Sequence, residues 1–298
     1  MAGMRLKRDK RLVVRPVPVE SLRLEGTRVA VVGGTGGIGR ALSLRLAARG
    51  AHVIVVGRTF RDRSVRGIEF LEADLSLLGE AGRIGDALPA ETLDLVVFTT
   101  GIMAGPKREV TSEGIERDLA VSYLSRFVIV DRIGERLGRN RARPGMRVRM
   151  FVVGFPGSNQ VAAVDDLNSE RRYGRIRAHS NTVAGNEALV LDAAERFPQV
   201  DTFGLNPGFV ETDIRGNFFK SRAMLAMVEW LTAFMTLKPG AYADRIAPLL
   251  VSPDLDGRSG AMFDNKARAI LPSAKLLRPG YAKALIAASR NLVSGHRG

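Results

Sequence analysis

The chain has no cysteine, and its three histidines, His52, His179 and His296, are scattered along 298 residues. The first absence excludes disulfide scaffolds, thiol nucleophiles and Cys-ligated metals. The second leaves too few imidazoles for a histidine-built site, so no metal is expected. Aromatic residues make up 6% of the chain, the basic residues are spread rather than striped, and no zinc-finger or RNA-recognition spacing occurs; no nucleic-acid partner is expected. No apolar run reaches the roughly eighteen residues of a membrane span. The basic segment at 1–20 is not followed by an apolar signal core, which excludes a secretory signal and points to the cytoplasm.

What is present is an ordinary globular composition, 45% hydrophobic and 26% charged, with a formal net charge of +14. Of the 45 basic residues 37 are arginine, which fits either a compositional bias toward arginine or an anionic ligand or surface. Residues 1–20 read as a basic N-terminal arm, held extended at Arg15-Pro16-Val17-Pro18 by proline. No linker, internal repeat or low-complexity segment interrupts residues 21–298, which read as one domain.

Within that domain, short β-branched runs alternate with helical periods. Arg28–Val32, Val53–Val56, Ile68–Glu72, Leu93–Phe98, Arg147–Val153 and Val200–Leu205 have the continuous apolar character of buried parallel strands. Arg40–Arg49, Gly114–Leu137 and Thr182–Phe197 have helical spacing. The alternation predicts an α/β fold, a doubly wound parallel sheet of the Rossmann type.

Between the first strand and first helix lies Gly33-Gly34-Thr35-Gly36-Gly37-Ile38-Gly39. Glycines there let the backbone turn tightly and approach a pyrophosphate, while the helix N-terminus supplies N–H donors. At the first βα turn, this pattern predicts dinucleotide binding. The second strand ends at Gly57-Arg58, where a carboxylate would otherwise meet the ribose hydroxyls of NAD. A guanidinium suits a 2′-phosphate by charge-assisted contact, so Arg58 favours NADP, with NADPH preferred over NADH.

These segments resemble the short-chain dehydrogenase/reductase family. Ala30–Gly39 is similar to its nucleotide-binding segment, which places Gly33, Thr35, Gly36, Gly37, Ile38 and Gly39 against the cofactor. Asp74-Leu75 resembles its adenine-contacting pair, and Thr100-Gly101 falls where the family has N-A-G. Asn206–Thr212 resembles its P-G-x-V-x-T segment, which adds Pro207, Gly208, Val210 and Thr212. Ser252–Gly260 resembles the tail of the retinol-dehydrogenase-like branch. The resemblance spans about 26–290 and implies hydride transfer to or from a nicotinamide.

The family's proton machinery, as the resemblance implies it, is a Tyr with a Lys four residues on, supported by a Ser and an Asn. Counting back from Pro207-Gly208, the Tyr position falls on Thr182 and the Lys position on Asn186. The Asn position falls on Ser122, and no hydroxyl follows the fifth strand until Ser158. An unactivated Thr is a poor proton donor, and Asn supplies no cation. A second register, Tyr173 with Arg177, keeps a cation but fits the helical pattern less well. His179 lies three residues before Thr182; if the helix has begun by then, His179, Thr182 and Asn186 share one face. An imidazole is a capable acid–base, so these three are the candidate catalytic set. Tyr123, beside Ser122, faces either this site or the core, and Asp165-Asp166 reads as loop capping.

The resemblance also implies a lid at about 214–237, here GNFFKSRAMLAMVEWLTAFM over Gly216–Met235, whose bulky apolar residues predict a hydrophobic small-molecule substrate. The same stretch could instead be a homo-oligomer face. The expected function is an atypical NADP(H)-dependent oxidoreductase on a hydrophobic carbonyl or alcohol, of a kind used in secondary metabolism. The alternatives are a non-redox cyclase, isomerase or dehydratase on the same fold, or a cofactor-binding protein without catalysis.

Overall fold

The structure, a computed structural model, describes residues 6–142, 145–208 and 237–295. The apolar runs form one eight-stranded sheet in the order β3-β2-β1-β4-β5-β6-β7-β8. Its parallel body is β1 (Arg28–Val32), β2 (His52–Gly57), β3 (Ile68–Glu72), β4 (Leu95–Phe98), β5 (Val148–Val153) and β6 (Val200–Leu205). The six runs expected to be strands are all in it. Two further strands of two residues each extend the edge. β7 (Met262–Phe263) pairs parallel to β6, and β8 (Ala269–Ile270) pairs antiparallel to β7.

Alternate strand residues build two cores, as the period of a strand requires. Ala30, Val32, Val96 and Met150 face α2 (Leu78–Ala87), α4 (Ser125–Ile133), α5 (Arg175–Arg196) and α7 (Tyr281–Ser294). Val29, Val31, Val97 and Phe151 face α1 (Gly37–Ala47) and α6 (Pro239–Leu250). Helices on both faces explain why the strands read as continuous apolar runs.

α4 is entered through a short α3 (Arg117–Leu119) and a π-helical turn at Ala120–Leu124. The sequence period shows one long helix there; the extra residue per turn has no sequence signature, and such turns often mark functional sites. α5 begins at Arg175, seven residues before the expected Thr182, because its first turns are polar and carry no apolar period.

The basic arm lies along the β8 edge. Asp9 N–H donates to Ala269 O (3.0 Å), and Leu271 N–H donates to Lys7 O (2.8 Å). Farther on, the Arg15 guanidinium meets the Asp254 carboxylate at 2.6 Å, and Val19 is buried in the α1–α6 core. These contacts cover backbone groups that an open edge would present to another chain. Among the described residues, no helix is long and apolar enough to cross a membrane, and no cluster of ligating side chains could hold a metal.

Candidate functional site

The strand order reverses direction between β1 and β4, which opens a crevice at the carboxyl ends of these strands. A groove of about 360 Å³ lies there, walled by the glycine turn on one side and by Thr99–Ile102 and Val121 on the other. Gly33 has φ +90°, and a Cβ built on it would lie 2.5 Å from the Thr100 backbone nitrogen. A Cβ on Gly39 would lie 2.3 Å from Gly33 O. Side chains at these two positions would fill the turn or push β4 away.

The N-terminus of α1 suits an anion. Its N-cap, Gly36, provides no side-chain acceptor, and no acidic residue stands in the first turn. The free N–H groups and the positive end of the helix dipole therefore face the groove without competition. Gly33, Thr35, Gly36, Gly37 and Ile38 line it; Gly39 sits one step behind, packed against Gly33 and Thr99.

On the β2–β3 side, the same groove is lined by Arg58, Asp74 and Leu75. Arg58 is exposed, with its guanidinium available to a ligand. Asp74 stays below the usual carboxylate range: partial burial pushes it up, but the Ser76 N–H and hydroxyl, with Arg58 and Arg117 nearby, outweigh this. On the β4 side, Thr100 and Gly101 line the groove. Pro207 and Gly208 follow β6 instead of lining it, with Gly208 N–H donating to Asn206 Oδ1 at 3.0 Å. Val210, Thr212 and the expected lid up to residue 236 lie outside the described residues. These groups fit a dinucleotide: a helix N-terminus for the pyrophosphate, and an exposed guanidinium with a carboxylate at the adenosine end.

The early start of α5 puts His179, Thr182 and Asn186 on one helical face. His179 Nδ1 meets Asp118 Oδ2 at 2.8 Å; the imidazole is 21% exposed and the carboxylate fully buried. Asp118 also accepts from Ser122 Oγ at 2.5 Å and Ala104 N–H at 3.2 Å. Ser122 Oγ accepts from Ile102 N–H at 2.9 Å, and Ile102 lines the groove. Glu116 fixes Asp118 by capping α3, accepting from the Asp118 and Leu119 N–H groups at 3.2 and 2.8 Å. A chain of hydrogen bonds thus runs from the groove wall to the imidazole.

Thr182 is buried and its hydroxyl donates to His179 O at 2.8 Å, so it stiffens the turn that carries the imidazole. Asn186 Nδ2 donates to Ser122 O and Thr182 O, each at 2.8 Å, tying α5 to the π turn. Its Oδ1 accepts from Arg126 Nη1 at 2.9 Å. The cation missing from α5 therefore arrives from α4. Arg126 is 2% exposed and also donates to Val153 O (2.6 Å), Thr100 Oγ1 (3.3 Å) and Thr100 O. Burial lowers its pKa to about 9, against the pull of Asp118.

Asp118 and Arg126 are the two site residues the sequence reading missed. Each left a trace: Asp118 lies one helical turn before Ser122, and Arg126 is a lone charge in the otherwise apolar run Tyr123–Val130 apart from Ser125. Tyr173, of the second register, donates its hydroxyl to Gly105 O at 2.6 Å. Burial, with Glu116, Asp118 and Glu109 nearby, pushes its pKa up to about 12. Arg177 faces Asp166 at 3.8 Å. Tyr123 turns into the core, its hydroxyl 2.7 Å from Ser289 Oγ. Asp166 accepts from the N–H groups of residues 170–172 at 2.9–3.1 Å, as a loop cap does.

Beside the groove is a smaller cavity of about 180 Å³, which shares Ile102 and Arg117 with it and is lined by Met103, Ala104, Pro106 and Asp118. It is a recess of mixed polarity next to the Asp118–His179 pair, with Glu109 and Glu116 also in its wall.

Comparison with known proteins gives a consistent result. The family profile described as short chain dehydrogenase matches residues 27–146. An uncharacterized oxidoreductase of Saccharomyces cerevisiae is 48% identical over 263 residues, covering 87% of this chain and 84% of the relative. Retinol dehydrogenase 14 of Homo sapiens is 25% identical over 284 residues, covering 84% of this chain and 82% of the relative. Among solved structures, the angucycline C-6 ketoreductase LanV with bound NADP has the same fold, with a TM-score of 0.60 at 20% identity over 86% of this chain and 98% of that one.

Proposed function

The chain belongs to the short-chain dehydrogenase/reductase family of oxidoreductases, and we propose that it uses NADP(H) to interconvert a hydrophobic carbonyl compound and its alcohol, with His179 as the proton-transfer group. The observation that carries this reading is the His179–Asp118 contact of 2.8 Å, linked through Ser122 to the wall of the groove at the β1–β4 switch point. When bound, the cofactor supplies or accepts the hydride.

The chain's own residues do the rest. Gly33–Ile38 and the α1 N-terminus would hold the pyrophosphate, and Arg58 would take the 2′-phosphate. Asp118 accepts from Nδ1, which fixes the tautomer and leaves Nε2 to carry the exchanged proton. The buried carboxylate stabilises the imidazolium, so that in the reductive direction Nε2–H protonates the oxygen as the carbonyl carbon gains hydride. Thr182 and Asn186 act on orientation: the first holds the backbone of His179, the second locks α5 to the π turn.

The apolar run at 216–235 and a relative named for retinol, itself an apolar alcohol, support a hydrophobic substrate. A ketoreductase of this fold with NADP bound supports the cofactor choice. The test is NADPH oxidation against a panel of apolar ketones and aldehydes, with wild type and His179→Ala. A general acid contributes about 10²–10⁴-fold, so His179→Ala should lower kcat by at least about 100-fold while NADPH still binds. Unchanged turnover would remove His179 from the mechanism.

A further inference from the structure

Arg126 is a charge with no counter-ion in contact. Its acceptors are Val153 O, Thr100 O, Thr100 Oγ1 and Asn186 Oδ1, all neutral, and it forms no ion pair among the described residues. The carboxylate whose field reaches it, Asp118, is engaged by His179, Ser122 and Ala104. Buried charges are normally paired, because desolvation is costly. Four neutral oxygens, two from Thr100 after β4 and one each from β5 and α5, keep this one in place without cancelling it.

Its position behind the groove wall gives the charge something to act on. The α1 N-terminus occupies the centre of the crevice, and Arg58 and Asp74 mark the adenosine end on the β2–β3 side. A dinucleotide that crosses the switch point then puts its nicotinamide half on the β4 side, toward Thr100 and Gly101. Arg126 stands directly behind that wall. It donates to Thr100 O, and a Cβ built on Gly101 would be 3.9 Å from its Nη2. The oxidised nicotinamide ring carries a positive charge and the reduced ring carries none, so a fixed cation here repels only one of the two forms.

We infer that Arg126 is a fixed positive charge that makes the site bind the reduced cofactor in preference to the oxidised one, which favours uptake of NADPH and release of NADP⁺. The same charge would favour the negative charge that develops on a carbonyl oxygen as hydride arrives. This rests on the cofactor reading above. Arg126 is thus a positioning and electrostatic residue, and the proton still comes from His179.

The test is equilibrium binding of NADPH and NADP⁺ by calorimetry to the full chain, as wild type, Arg126→Lys and Arg126→Met, each checked for cooperative melting. The expected Kd ratio, NADP⁺ over NADPH, is about tenfold or more in wild type and is kept by R126K, which retains the charge. In folded R126M, the ratio falls toward one. A ratio unchanged in R126M overturns the inference. So does a wild-type ratio near one, a result that needs no variant to fold. Binding of both forms with equal affinity overturns this inference alone, whereas binding of neither overturns the cofactor reading as well.

Discussion

Asp118→Asn is the perturbation that probes the proposed acid most finely. Asp118 is fully buried and accepts three hydrogen bonds, from His179 Nδ1 at 2.8 Å, Ser122 Oγ at 2.5 Å and Ala104 N–H at 3.2 Å. The amide is nearly isosteric. Its oxygen can keep the contacts to His179 and Ala104 if its NH2 turns to Ser122, whose hydroxyl already lies 3.4 Å from Ile102 O and can donate there instead. The variant should therefore fold, with the charge alone removed. A hydrogen bond to a charged acceptor contributes about 1.5–3 kcal/mol and a neutral one about 0.5–1.5. The imidazolium thus loses roughly 1–2 kcal/mol of stabilisation, or about 5- to 30-fold in kcat/KM at about 1.36 kcal/mol per tenfold. The assay is NADPH oxidation with the best ketone from the panel, together with NADPH affinity, which should stay within about twofold. If Asp118 acts through His179, D118N adds nothing in an H179A background. Wild-type kcat/KM in folded D118N, or losses in the two variants that simply multiply, would refute the argument.

Other expectations follow from the same contacts. Arg58→Ala should weaken NADPH binding by about 10- to 100-fold, the worth of one charge-assisted contact of about 1.5–3 kcal/mol, and leave NADH binding unchanged in the same titration. Gly39→Ala places a methyl 2.3 Å from Gly33 O and should lower stability by about 1–3 kcal/mol in urea melts and weaken cofactor binding. Tyr123→Phe loses the 2.7 Å contact with Ser289 Oγ, so the melting temperature should fall by a few degrees, for about 1 kcal/mol, with turnover retained. Asp166 is held below the usual carboxylate range: some burial pushes it up, but the N–H groups of Arg171, Arg172 and Glu170, with Arg171's charge, outweigh it. Because its folded pKa is depressed, its contribution is present above the unfolded value of about 3.9 and is lost as pH falls through the folded one. Asp166→Asn should therefore melt below wild type at pH 7, and the gap should close below about pH 4.

The architecture was legible because parallel strands buried on both faces leave uninterrupted β-branched runs. Arg28–Val32, Ile68–Glu72 and Val200–Leu205 form strands with the limits read from sequence. The glycine turn and Arg58 could be placed for a similar reason, since backbone approach and charge each demand one residue type at one position. β7 and β8 were not foreseen, because two residues carry no period. The start of α5 was hidden by its polar first turns, although the shared face of His179, Thr182 and Asn186 depends on it. Asp118 and Arg126 were harder still. They flank the π turn at Ala120–Leu124, and a side chain that crosses from one element to another leaves no local pattern. Counting positions found Asn186 where a lysine was expected, but not the guanidinium that touches it from another helix.

The central claim is that the groove between β1 and β4 is an NADP(H) site. The most direct measurement is a calorimetric titration of the purified chain with NADPH and with NADH, followed in parallel by nicotinamide fluorescence. The account predicts one NADPH bound per chain, at least about tenfold more tightly than NADH, with the difference abolished in Arg58→Ala. Binding of neither cofactor, or equal binding of both that Arg58→Ala leaves unchanged, would contradict it.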